Sequence, residues 1–260
     1  VRSNARLRNE NEELRRRLDS LQQGLDREML DAASVVECRR QNRELKEREI
    51  ETQRALLRNG LNLALINAPP PNYTGGQPGF AAIPGGEARF AHDMRRVWRY
   101  GEALRPRMVH VMAGEAEGPA AAEAFVANLR NAAAEAPPEV TLMIEPLCPQ
   151  ARPGYFLNDY AQAAELLAAV DAPNVALQFD SFHAQMIHGD AVAVFEEYRP
   201  LIRHVQLGDA PGRGAPGSGD VDFDGLFAVL RAGYDGFVSG EYAPGVATEQ
   251  TLGWVAALGE

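Results

Sequence analysis

"VALQFDSFHAQ", residues 175–185, runs from an apolar, β-rich segment straight into Asp180, with His183 three positions later. Asp180 is followed at once by residues that suit a helix, so the stretch reads as the end of one strand and the start of the next helix. Similar runs occur at "LNLALIN" (61–67), "MVHVMAG" (108–114), "TLMIEPL" (141–147), "HVQLGD" (204–209) and "FVSGEY" (237–242). Their starts lie roughly 30–45 residues apart, the length of one βα unit. Between them, "AAEAFVANLRNAAAEA" (121–136) and "DYAQAAELLAAV" (159–170) place apolar residues at helical spacing. Strands alternating with helices predict a parallel sheet covered by helices. Near-continuous apolar strands predict burial on both faces. Six such units, with two more upstream, predict an α/β chain folded as a (β/α)8 TIM barrel. A doubly wound open sheet is the alternative, but the glycine-rich phosphate turn it usually carries after an early strand is missing.

The first 60 residues follow another pattern. "SVVEC" (34–38) reads as a short strand and "REIETQRALLRNGL" (48–61) as a helix ending near Gly60. Before them, Leu7, Leu14 and Leu21 share one heptad position, while Asn11, Leu18 and Leu25 share the other core position. Residues 1–33 are therefore expected to form an atypical, polar helical segment, coiled-coil-like or packed as an amphipathic helix, where a first βα unit usually stands. Residues 34–260 are expected to form the barrel domain.

Composition narrows the function. The chain has a formal charge of −10, unevenly spread. Residues 1–60 carry 14 Arg and Lys against 12 Asp and Glu, and residues 61–260 carry 12 against 24. An acidic body repels phosphate backbones, so no nucleic-acid partner is expected. Two cysteines, Cys38 and Cys148, are too few for a disulfide framework, which points to a reducing, cytoplasmic compartment. No transmembrane-length apolar stretch and no secretory signal pattern are visible, so no membrane partner is expected. Lys46 is the only lysine, which leaves little room for Schiff-base chemistry.

In a (β/α) barrel the active site forms at the C-terminal ends of the strands. Asn67, His110, Glu145, Asp180, Gln206, Asp209 and Glu241 stand there. Burying ionised carboxylates without a partner is costly. Three that converge call for a cation or for raised proton affinities. Several carboxylates plus the Gln206 carbonyl suit Mg²⁺ or Mn²⁺. Each acid also has a plainer role available: Asp180 could cap a helix starting near Ser181, and Asp209 could simply sit in a loop. His204 opens a strand and is assigned a structural role, and His92 is expected at the surface. "DAPGRGAPGSGDVDF" (209–223) is a turn-rich loop in which Arg213 could clamp a substrate carboxylate.

Taken together, "LINAPP" (65–70), "HVMAG" (110–114), "IEP" (144–146), "PGYFL" (153–157), "QFDSFHAQMIHGD" (178–190), "HVQLGDAPGR" (204–213) and "GYDGFVSGEYAP" (233–244) resemble the hydroxypyruvate isomerase family of xylose isomerase-like barrels. The motifs occur in family order, over roughly residues 55–260. The resemblance implies a metal-dependent isomerisation of hydroxypyruvate to tartronate semialdehyde through an enediolate. It implies Glu145 and Glu241 as the acid/base pair, and Glu145, Asp180, Gln206 and Glu241 as metal ligands. It implies substrate contacts at His183, Arg213, His110 and Asn67. Two departures stand near the site: Cys148 replaces a usual asparagine, and "RGAPGSGD" lacks a His–Glu pair often found after the arginine. The readings to be separated are this isomerase, possible as a homo-oligomer; an isomerase or epimerase of a related acid or sugar such as 2-oxo-tetronate; a barrel repair endonuclease; and a degenerate, non-catalytic barrel with an N-terminal interaction helix.

Overall fold

The structure, a computed structural model, describes residues 40, 47–48, 50–68 and 78–259. The expected strand at 34–38, the leucine heptads of residues 1–33 and the boundary drawn between them lie outside the described residues. By backbone contacts residues 1–61 and residues 62–260 form two units. In the first, residues 50–58 are helical. That helix stops where expected, because Gly60 takes the left-handed conformation at φ +62°. The Leu61 N–H then reaches Leu56 O at 2.9 Å and the Gly60 N–H reaches Leu57 O at 3.3 Å, closing the last turn.

In the second unit every expected apolar run forms a strand: β1 (Leu65–Asn67), β2 (Met108–His110), β3 (Thr141–Ile144), β4 (Val175–Asp180), β5 (Ile202–Leu207) and β6 (Phe237–Gly240). All neighbours are parallel and the order is β1-β2-β3-β4-β5-β6. That uninterrupted order excludes the doubly wound alternative, in which the order reverses at a switch point. The sheet curls, since Asn67 at the end of β1 and Glu241 just after β6 line the same cavity. Among the described residues β1 and β6 are the outer strands.

Helices α1 (Glu87–Leu104), α2 (Gly118–Glu135), α3 (Tyr160–Val170), α4 (Ser181–His188), α5 (Ala191–Tyr198), α6 (Phe223–Arg231) and α7 (Gly253–Gly259) complete the unit. In α2 the buried residues are Ala121, Ala124, Phe125, Asn128, Leu129, Ala132 and Ala133, one continuous stripe at helical spacing. Aspartates start four successive helices. Asp159, Asp180, Asp190 and Asp222 each accept a backbone N–H of the first turn of α3, α4, α5 and α6.

Both faces of the sheet are buried, as expected, but the two differ in polarity. Outward residues such as Val109, Leu142, Ile144, Leu177, Phe179, Val205 and Leu207 pack under the helices in the main core. On the inner face only Met108, Met143 and Ala176 form an apolar floor. Above it the inner positions turn polar, with His110, Glu145, Gln178, His204 and Gln206 all buried. A parallel strand hides both faces from bulk water, but the inner face needs only mutual hydrogen bonding, not hydrocarbon.

One irregularity sets which side chains point in. Leu177 pairs with Ile202, whereas Gln178 pairs with His204, so β5 contributes Arg203 as an extra residue. Ile202 therefore joins the outer core, while His204 and Gln206 turn inward. Without that bulge the side-chain period of two would aim Gln206 at the helices.

Phe179 anchors the outer core: it is fully buried, edge-on to Phe195 at 5.5 Å and tilted against Tyr160 at 5.9 Å. Phe179→Ala should lower the unfolding free energy by about 3–5 kcal/mol. Urea denaturation would read this as an earlier midpoint at unchanged slope; a shift worth less than about 1 kcal/mol would show that this cluster is not where the fold is held.

Candidate active site

The strand ends deliver a small cavity of about 170 Å³. Asn67, His110, Glu145, His183, Gln206, Arg213 and Glu241 line it, so every expected site residue except Asp180 is on its wall. Asp180 lies just behind, fully buried, joined to the wall through Arg213 at 2.8 Å. A larger cavity, about 710 Å³, opens at the opposite ends of the strands, beside Arg107, Pro173 and Gly236. In a (β/α) barrel that face serves stability, and the chemistry belongs to the other.

Glu145 follows β3 and is 4 % exposed. Its Oε2 accepts from Gln178 Nε2 at 2.8 Å and lies 3.6 Å from His110 Nδ1. Its Oε1 is buried with no hydrogen-bond partner. Burial, then the charges of Asp180 and Glu241, hold the Glu145 carboxyl well above the usual carboxylate range.

Asp180 takes the plainer role that its sequence context allows and also pairs with an arginine. Its Oδ1 accepts the Phe182 N–H at 2.8 Å and caps α4, while Oδ2 faces Arg213. Burial pushes its carboxyl up to about 7, with Arg213 pulling the other way.

Glu241 stands apart from this burial. It follows β6, held by its N–H on Leu207 O at 2.9 Å, and its side chain is 45 % exposed at the cavity rim. Only two of the three acids are therefore buried. The third is reached from solvent and meets Arg213 Nη2 at 3.3 Å.

Arg213 bridges Asp180 and Glu241 and stacks over the Phe182 ring, 5.0 Å from its centroid. Its backbone takes φ +51°, and the loop that presents it is built around Asp209. The Asp209 carboxylate accepts N–H groups from Ala210, Gly219 and Val221 at 2.7–3.0 Å. Asp209 is thus the organiser of the 209–221 loop and not a ligand. Gly219 is required there, because a Cβ would sit 2.0 Å from Ala210 O.

The histidines are neutral by different routes. His183 Nδ1 accepts the Cys148 backbone N–H at 3.0 Å. A backbone N–H cannot change direction, so the ring proton resides on Nε2. Burial, Arg213 and His110 push His183 down to about 3. His110 Nδ1 meets Asn67 Oδ1 at 3.2 Å and is therefore a donor, leaving the buried Nε2 as an unpartnered acceptor. Burial and His204 lower it to about 4. His204 does not open its strand, since β5 begins at Ile202. The bulge places it on the inner face beneath Gln206, bonded to Ser239 Oγ at 3.1 Å. His92 is exposed, as expected.

The residue sequence reasoning missed is Gln178. One Nε2 donates to both Glu145 Oε2 and Gln206 Oε1, at 2.8 and 2.7 Å. It ties the ends of β3, β4 and β5 together. A polar residue two places before Asp180 in an otherwise apolar strand was the available signal.

The donors present suit a divalent cation. One ligand-capable atom each of Glu145, Asp180 and His183 lies within 4.8 Å of the other two. In the tautomer above, His183 is a donor and contributes no lone pair. Gln206 Oε1 and Glu241 supply further oxygens at the same cavity. The orphaned Glu145 Oε1 is the observation that most needs a positive partner. Among the described residues no helix is long and apolar enough to cross a membrane.

Comparison with known proteins agrees with this layout. A family model described as "Xylose isomerase-like TIM barrel" matches residues 30–258. The 2-oxo-tetronate isomerase of Cupriavidus necator is 36 % identical over 203 residues, 76 % of this chain and 78 % of its own. The hydroxypyruvate isomerase of Escherichia coli is 33 % identical over 211 residues, 79 % of this chain and 82 % of its own. A crystal structure from Brucella melitensis described as "AP endonuclease, family 2" superposes with a TM-score of 0.75 at 38 % identity, covering 79 % of this chain and 81 % of that one. Matched by the family model over most of its length, and by relatives of this identity and coverage, the chain belongs to the xylose isomerase-like TIM barrel family, in its hydroxypyruvate isomerase branch.

Proposed function

We propose that the chain is a metal-dependent isomerase that interconverts hydroxypyruvate and tartronate semialdehyde. The observation that carries the reading is a buried carboxylate with one unpartnered oxygen, Glu145, on the wall of a small cavity with a second, reachable carboxylate, Glu241. A cavity of about 170 Å³ suits a substrate of a few heavy atoms. The identity to a 2-oxo-tetronate isomerase supports a second, four-carbon acid as the neighbouring reading.

Glu145, Asp180, Gln206 and Glu241 would hold the cation, and an oxygen-only set favours Mg²⁺ or Mn²⁺. Such an ion, when bound, polarises a carbonyl and favours the negative charge of an enediolate. The protein's part is proton transfer and orientation. One glutamate takes the C–H proton from C3 of hydroxypyruvate, and the C2 carbonyl becomes part of the enediolate. The other returns a proton to C2, while the C3 hydroxyl proton passes to the C2 oxygen, so that C3 becomes the aldehyde and C2 carries the hydroxyl. Each carbon thus exchanges one oxidation level with its neighbour and no outside oxidant is needed. His183 Nε2–H, Arg213, His110 and Asn67 form the cavity wall against which the substrate is oriented. Gln178 would keep Glu145 and Gln206 at a fixed separation, as an outer partner does for a ligand set.

The repair-endonuclease reading is less well supported. DNA would have to approach an acidic body, with 24 Asp and Glu against 12 Arg and Lys over residues 61–260.

Glu145→Gln and Glu241→Gln should each cut kcat on hydroxypyruvate by about 10²–10⁴-fold. Far-UV circular dichroism should stay unchanged, and a chelator should silence the wild type until Mg²⁺ or Mn²⁺ is restored. Full turnover by Glu241→Gln, or turnover indifferent to chelator, would sink the mechanism. Gln178→Leu should weaken metal affinity or activity by about 10–100-fold. Calorimetric titration of the variant with Mn²⁺ would detect it; wild-type affinity with wild-type turnover would make Gln178 a mere core filler.

A further inference from the structure

We infer that Arg152 binds the carboxylate of the substrate and so sets a preference for oxo-acids over neutral sugars. The inference rests on the oxo-acid reading above. Two guanidinium groups line the cavity, Arg213 and Arg152. Arg213 is already engaged: its Nη2 serves Asp180 and Glu241, its Nε lies 3.4 Å from Glu241 O, and its face covers Phe182. Arg152 is exposed, and its side chain has no hydrogen bond or ion pair among the described residues.

The backbone that carries Arg152 is held at both ends. The Leu147 N–H bonds Leu157 O, and the Phe156 N–H bonds Gly114 O, both at 2.9 Å. Within the loop the Arg152 N–H bonds Cys148 O at 3.0 Å, and Arg152 O accepts from Tyr155 N at 3.3 Å. The same turn fixes His183, through the Cys148 N–H on Nδ1. One short loop therefore governs two donors at the cavity, the Nε2–H of His183 and the guanidinium of Arg152. The Arg152 charge is felt as far in as the buried Tyr155 hydroxyl, whose proton affinity it lowers against burial.

The charge balance explains the need. Arg213 and the proposed cation are both taken up by Glu145, Asp180 and Glu241, so a substrate carboxylate finds no uncommitted positive partner among them. It requires a cation of its own, and a guanidinium with free N–H donors matches a carboxylate bidentately. A neutral hydroxyketone gains nothing from the same group. Arg213 is then a wall group held on the acids, and Arg152 supplies the uncommitted guanidinium for the substrate carboxylate.

The test compares the metal-loaded wild type with Arg152→Gln and Arg152→Lys. Two quantities are measured: kcat and KM for hydroxypyruvate, and the Kd of D-glycerate, an unreactive carboxylate probe, by calorimetry. Arg152→Gln should raise both KM and Kd at least about tenfold and leave kcat within about threefold, because the lost contact is made equally in ground and transition states. Arg152→Lys should recover part of the loss, and melting temperatures should agree, since the side chain is exposed. Unchanged glycerate binding in Arg152→Gln, or a wild type that binds no glycerate, overturns the inference. Hydroxypyruvate turnover with an unchanged KM in the variant overturns it too, while leaving the proposed activity standing. Arg152-dependent glycerate binding in a protein that does not turn over hydroxypyruvate upholds the carboxylate site and overturns the substrate.

Discussion

Two carboxylates almost sealed from water, Glu145 and Asp180, sit above the floor of one curled parallel sheet, and the surrounding structure is arranged to tolerate them. An ionised carboxylate in such a place loses its hydration and regains stability only through donors and cations. Each acid is served differently. Asp180 receives a backbone N–H from the helix it caps and a guanidinium from Arg213. Glu145 receives one amide N–H from Gln178 and keeps one oxygen bare. That asymmetry leaves, at Glu145, a place where positive charge is wanted.

The requirement spreads outward. For Gln178 to serve both Glu145 and Gln206, β5 must present Gln206 inward, and the extra residue at Arg203 does so. For Arg213 to reach Asp180, the loop after β5 must fold back, and Asp209 collects three backbone N–H groups to hold it there. For His183 to act as a donor, its Nδ1 must be occupied, and the Cys148 N–H occupies it. The position's side chain matters less to this than its backbone, so cysteine in place of the more usual asparagine keeps the tautomer.

Much of this was legible from the residues. The six apolar runs became the six strands, because fully covered parallel strands need apolar residues on the helix-facing side whatever else they carry. The acid that ends "VALQFD" announced a helix cap, and the structure shows that cap together with an ion pair to Arg213. Gln178 was not legible, because a glutamine in a strand is as often a solvated edge as a buried donor. Arg152 was not either, since a lone arginine in a turn-rich loop has no local mark of what it faces. The inner face is buried yet polar, because "LQFD" and "HVQL" alternate apolar residues toward the helices with polar ones toward the barrel interior.

By itself the sequence determined the element order, the parallel sheet, the helix starts at aspartates and the identity of the acids, since all of these follow from local pattern and spacing. Convergence was decided only by the tertiary structure. Sheet curl brings the ends of β1 and β6 to one cavity, a one-residue bulge selects which face Gln206 occupies, and loop closure chooses which arginine meets acids and which stays free. Those outcomes depend on side chains separated by tens of residues meeting in space, and no periodicity along the chain encodes such distances.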